Sequence, residues 1–261
     1  MGNTNYIIGA IAGDIIGSVY EWNNVKTVDF DLFTEKSTFT DDSVLTLATM
    51  DCILSDDNYK TLYQKYARDY PLRGFGGSFC RWIYSDNPKP YNSWGNGSAM
   101  RVSPVGWAFN TIEEVVIRAK ASAEVTHNHP EGIKGAQAVA SAIFMARNNK
   151  TKDEIKEYVE KTFGYDLDRT IDEIRPKYKF DVSCQGSVPE SVIAFLESDD
   201  YESAIRLAIS LGGDSDTIAC ITGAIAEAFY KTIPENIVQN VLERLPNKLI
   251  NLLERFSLKY K

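Results

Sequence analysis

The chain has 261 residues and a formal net charge of −8, which excludes bulk electrostatic attraction to nucleic acid or to an anionic membrane. Its hydrophobic fraction of 44% and charged fraction of 25% are those of an ordinary globular protein with a substantial core. No apolar run approaches membrane-spanning length, and residues 1–6 lack both the basic region of a secretion signal and an acylation motif.

Taken in order, residues 6–20 read as a helix with Gly9, Gly13 and Gly17 on one face. Glycine weakens a helix, so three in register predict close packing against another helix. Glu21 and Trp22 follow where that helix stops, and residues 23–39 have no period and read as loop. Helices are predicted over 42–54 and 59–70, the second stopped by Pro71. A glycine turn, Arg73-Gly74-Phe75-Gly76-Gly77, leads to an aromatic helix over 79–84, and residues 86–94 are loop. A second glycine loop, Gly95-Asn96-Gly97-Ser98, opens another helix. Such loops can hold phosphate on backbone N–H groups, although most short glycine loops are only turns, and the missing Lys excludes a Walker-type site.

Helices over 112–125 and 130–147 flank Thr126-His127-Asn128-His129, which carries the only two histidines. Helices are further predicted over 152–162, 167–174, 188–196, 201–211, 217–230 and 234–256, with Pro189 early in its helix. No stretch alternates as a strand should, and no composition shift marks a boundary. The expectation is an all-α, compact, single-domain, multi-helix bundle over 1–261. Cys52, Cys80, Cys184 and Cys220 are scattered without a C-x-x-C pair, which excludes a zinc ribbon and fits reduced thiols in the cytoplasm.

Two stretches stand out chemically. Gly212-Gly213-Asp214-Ser215-Asp216-Thr217 opens the apolar helix over 217–230, and Thr40-Asp41-Asp42-Ser43 opens the one over 42–54. One such cluster is ordinarily a helix cap. Capping needs one side chain, however, and oxygen ligands packed this densely repel one another unless a hard cation lies among them. The two clusters together point to one cation site assembled from distant parts of the chain. An all-oxygen donor set favours Mg²⁺ or Mn²⁺ over zinc.

These blocks resemble the ADP-ribosylglycohydrolase family. The matching pieces are residues 9–17 with Glu21, Phe39-Thr40-Asp41-Asp42-Ser43, Gly95-Asn96-Gly97-Ser98-Ala99-Met100-Arg101, Thr126-His127 before a Gly-Ala helix, Ser187-Val188-Pro189-Glu190, and residues 212–217. The resemblance implies a hydrolase that releases ADP-ribose from an ADP-ribosylated protein side chain, such as arginine or serine, or from a related conjugate. It implies two Mg²⁺ or Mn²⁺ ions held by Thr40, Asp41, Asp42, Asp214, Asp216 and Thr217, with Asp216 bridging. Glu21, Asp41 and Asp42 are then the candidate catalytic carboxylates. Gly74, Gly76, Gly77, Ser93, Trp94, Gly95, Asn96, Gly97, Ser98 and His127 would hold the diphosphate and ribose. Asp14 and Glu190 are read structurally, as a helix-packing partner and an N-terminal-turn acid. A non-catalytic ADP-ribose-binding relative and a two-metal phosphoesterase are the competing classes.

Overall fold

A computed structural model describes residues 6–261, so the expectation about a leader over residues 1–5 lies outside the described residues. The first half of the chain carries α1 (Gly9–Gly17), α2 (Asp41–Ser55), α3 (Tyr59–Asp69), α4 (Gly77–Ile83), α5 (Gly97–Met100), α6 (Ser103–Ala108), α7 (Ile112–Glu124) and α8 (Pro130–Arg147). The second half adds α9 (Lys152–Phe163), α10 (Ile171–Ile174), α11 (Cys184–Glu197), α12 (Tyr201–Ser210), α13 (Ser215–Tyr230), α14 (Glu235–Glu243) and α15 (Asn247–Tyr260). The fold is all-α. Among the described residues there is no strand, and a single isolated bridge pairs Gly95 with Ser183.

α13 is the axis of the molecule. From Ser215 to Ala228 every residue is buried, as a helix apolar on all sides requires. α1 lies along it, and the glycine face explains how closely. A Cβ on Gly9 or Gly17 would fall 2.5 Å from Gly223 O or Asp216 Cα, and one on Gly13 would run into the Ala219 carbonyl. The three glycines therefore bring two backbones together, as their register predicts. α8, α11 and α12 pack on other sides of α13, and one continuous apolar core joins them.

Several expected boundaries move, each for a local reason. α1 begins at Gly9 and ends at Gly17, short of the 6–20 pattern, and the helix expected at the second glycine loop divides into α5 and α6. α10 occupies only the end of 167–174. α11 starts at Cys184, where Ser183 caps it by accepting from Gly186 N, so Pro189 sits inside the helix and removes one backbone hydrogen bond. Glu190 is consequently not an N-terminal-turn acid. It is buried within α11 and takes a hydrogen bond from Arg169 Nη1 at 2.6 Å. The 234–256 pattern divides into α14 and α15 because Pro246 lacks an N–H and turns Leu245 away from helical geometry.

Candidate active site

Close packing of α1 on α13, and of α1 on α2, brings the starts of α2 and α13 to one place. Asp14, near the middle of α1, ties the second contact. Its carboxylate accepts from Thr40 N at 2.9 Å, Ser43 N at 3.0 Å and Thr40 Oγ1 at 2.6 Å, and from the Ser43 hydroxyl. It thereby satisfies two of the unpaired N–H groups at the start of α2. Both helix N-termini carry positive dipole ends toward the acids gathered there.

Those acids form two overlapping groups. Asp14, Asp42 and Asp216 each offer an oxygen within 4.8 Å of the others, and so do Glu21, Asp214 and Asp216. Asp216 belongs to both. Asp214 occupies the N-cap position of α13 but caps nothing. Its carboxylate instead accepts from Asn96 Nδ2 at 2.7 Å. Thr217 Oγ1 and Thr40 Oγ1 each lie 3.4 Å from Asp42 Oδ2, while Asp42 Oδ1 is buried with no hydrogen-bond partner.

Burial raises the pKa of every one of these acids. Asp41, Asp42 and Asp216 are pushed well above the usual carboxylate range, first by desolvation and then by one another and by Asp14 and Asp214. Asp14 and Asp214 are also raised by burial, against the hydrogen bonds they accept. Glu21, half-buried, is pushed up to about 7 by desolvation and by the Asp214 charge. An orphaned buried carboxylate oxygen, hard donors only and accumulated like charge are the requirements of a divalent-cation site, and the cluster fits one.

The cluster floors a cleft of about 450 Å³, within the range of small-molecule sites. Of the residues expected there, Glu21, Thr40, Asp41, Asp42, Gly74, Gly76, Gly77, Ser93, Gly95, Asn96, Gly97, His127, Asp214, Asp216 and Thr217 line it. Asp41 stands on the wall beside Gly74, outside both carboxylate groups. Trp94 and Ser98 do not line the cleft. Trp94 is 48% exposed, and Ser98 is buried with its hydroxyl donating to Gly132 O at 2.7 Å.

The aromatic surface comes from other residues. Trp22 and Phe180 stack at the rim with ring centroids 5.2 Å apart, and Tyr91 and Phe79 line the interior. Phe180 arrives from a segment without periodicity, so no sequence signal marks it. Asp14 is different, because a carboxylate inside an otherwise apolar glycine helix is such a signal. The arrangement can hold hard divalent cations, receive a ligand against two glycine loops, and present a carboxyl group that exchanges a proton near neutrality.

Comparison with known proteins follows the same lines. The family model described as ADP-ribosylglycohydrolase matches residues 4–260. ADP-ribosylhydrolase ARH3 of Mus musculus is 25% identical over 90% of this chain and 85% of its own length. The Homo sapiens protein of the same name is 26% identical over 90% and 87%. A solved structure described as an ADP-ribosylglycohydrolase-related protein complex shares the fold with a TM-score of 0.74, at 21% identity, covering 98% of this chain and 96% of that one.

Proposed function

The chain belongs to the ADP-ribosylglycohydrolase family, and from that premise we propose that it hydrolyses the glycosidic bond between ADP-ribose and an acceptor, as one domain spanning the whole chain. The substrate is an ADP-ribosylated protein side chain, such as arginine or serine, or a related conjugate. The observation that carries the proposal is the sharing of Asp216 between two carboxylate groups at the floor of a glycine-lined cleft.

Thr40, Asp42, Asp214, Asp216 and Thr217, with Asp14 in the same carboxylate group, would hold two Mg²⁺ or Mn²⁺ ions, and Asp41 would face them from the cleft wall. When bound, they supply Lewis acidity and order the hydroxyls of the ribose. The chain's own residues do the rest. Gly74, Gly76 and Gly77 and the loop from Ser93 to Gly97 receive the diphosphate and ribose on exposed backbone, with Asn96 held against Asp214. Bond cleavage places positive charge on the anomeric carbon, which the surrounding carboxylates stabilise. Water adds its hydroxyl to that carbon, and its remaining proton leaves with the acceptor. Glu21 is the group assigned to carry that proton, since it lines the cleft beside Asp214 and Asp216 and is only half-buried. Trp22 and Phe180, next to Glu21 at the rim, face the departing acceptor.

No helix of the described residues is long and apolar enough to cross a membrane. The four free cysteines support a reducing, cytoplasmic compartment. The deciding experiment incubates the protein with ADP-ribosylated arginine and serine peptides, with Mg²⁺ or Mn²⁺ and with EDTA, and reads free ADP-ribose. Release that depends on the metal is expected from at least one substrate. ADP-ribose binding without turnover would identify a reader, and phosphate release from nucleotides a phosphoesterase.

A further inference from the structure

We propose that Arg101 and Thr126 are positioning residues that set His127 as a neutral donor, protonated on Nε2 and aimed into the cleft. His127 then binds a substrate oxygen and takes no proton from the reaction.

The argument begins at Arg101, which has 0% exposure and lies 4.3 Å from the Tyr63 ring centroid. Its Nη2 donates to Ser122 O at 3.0 Å and to Thr126 Oγ1 at 2.8 Å. A guanidinium has donors only, so Thr126 Oγ1 must accept here and give its own proton elsewhere. Two acceptors lie within reach. His127 Nδ1 is at 2.7 Å and Ala123 O at 3.5 Å. Ala123 O already accepts from the backbone N–H of Thr126 at 3.1 Å and of His127 at 2.8 Å, which uses both of its lone pairs. The hydroxyl proton therefore goes to Nδ1. A neutral imidazole that accepts at Nδ1 carries its hydrogen on Nε2.

Neutrality follows from the same surroundings. Burial and the Arg101 charge hold His127 well below the ordinary imidazole range. Arg101 Nε and Nη1 have no hydrogen-bond partner, and among the described residues no carboxylate forms an ion pair with it. The other titratable group facing the ring is Tyr91, with centroids 5.9 Å apart.

Nε2 makes no hydrogen bond to the protein among the described residues, and it points at the glycine loop. A Cβ on Gly97 would lie 3.2 Å from it and one on Gly95 3.6 Å. Glycine at both positions leaves the donor open to an oxygen of the bound ligand, a phosphate or a ribose hydroxyl. That ligand rests on the ADP-ribose reading of the cleft, whereas the relay itself belongs to the free protein.

The chain has only two histidines, so ¹⁵N-histidine labelling resolves the case directly. His129→Gln assigns the signals. In ligand-free protein the His127 Nδ1 resonance is expected at the unprotonated position and Nε2 at the protonated one. Thr126→Val removes the donor to Nδ1, shifts the tautomer, and weakens ADP-ribose binding in Mg²⁺ about tenfold. Thr126→Ser restores both. A proton on Nδ1 in the wild type, or an unchanged tautomer in Thr126→Val, overturns the proposal. With the relay seen but no ADP-ribose bound, the relay stands and the ADP-ribose reading falls.

Discussion

Asp42 Oδ1 has no partner inside the protein, and a buried carboxylate oxygen left so costs stability unless something outside the chain meets it. Asp216 belongs to both carboxylate groups, and besides burial the charges of Asp42, Asp214, Glu21 and Asp14 push its carboxyl well above the usual range. Asp216→Asn should therefore lower ADP-ribose release by about 100-fold or more. In EDTA the same variant should melt at or above the wild type, with relief of about 1 kcal/mol corresponding to about 2–4 °C. Turnover at the wild-type rate would remove Asp216 from the site. Most of these residues were legible from their types and spacing, because adjacent Asp and Thr at two helix starts exceed what capping needs. From the sequence Asp14 reads as a helix-packing partner. It does pack α1 against α2, but it also contributes an oxygen to the cluster, and both follow from one buried carboxylate facing two ways.

Among the elements, α1 and α13 decide the geometry. Gly17 lies against the Asp216 backbone and Gly13 against Ala219, so the separation of these helices sets where Asp216 stands relative to Asp14. Gly13→Ala should cost about 1–3 kcal/mol, because backbone on α13 must move rather than the end of a flexible side chain. Circular dichroism melts should show a Tm lower by about 2–4 °C for each kcal/mol. A melt matching the wild type would mean that the interface can open without strain. Helix existence was legible almost throughout, since long apolar periods and glycine registers are local signals. Boundaries were less so. Ser183 captures the start of α11 ahead of Pro189, and Pro246 cuts a periodic stretch that the apolar pattern alone carries straight through.

For the whole molecule, the acid cluster makes stability depend on pH and on cations. Glu21 ionises near pH 4.5 in an unfolded chain and at about 7 in the fold, and the buried aspartates are displaced in the same direction. Between those values the folded state holds protons that the unfolded chain has lost, so stability falls as pH rises through that window. Below it both states are protonated and the penalty is absent. In EDTA, Tm should be higher at pH 5 than at pH 8. Added Mg²⁺ or Mn²⁺ should raise Tm more at pH 8, where protons no longer compete, by about 2.7 kcal/mol of stability at a concentration 100 times Kd. A Tm in EDTA that rises between pH 5 and 8, or a metal shift that is larger at pH 5, would contradict this charge balance.

By itself the sequence determined the all-α class, the glycine face of α1, and the two acidic starts, because each is written in neighbouring residues. Only the tertiary structure decided which acids share a site, that Asp41 stands apart from both groups, and that Trp22 and Phe180 rather than Trp94 form the aromatic rim. Those outcomes depend on distances between segments far apart in the chain. Such distances are set by helix packing, which no local pattern contains.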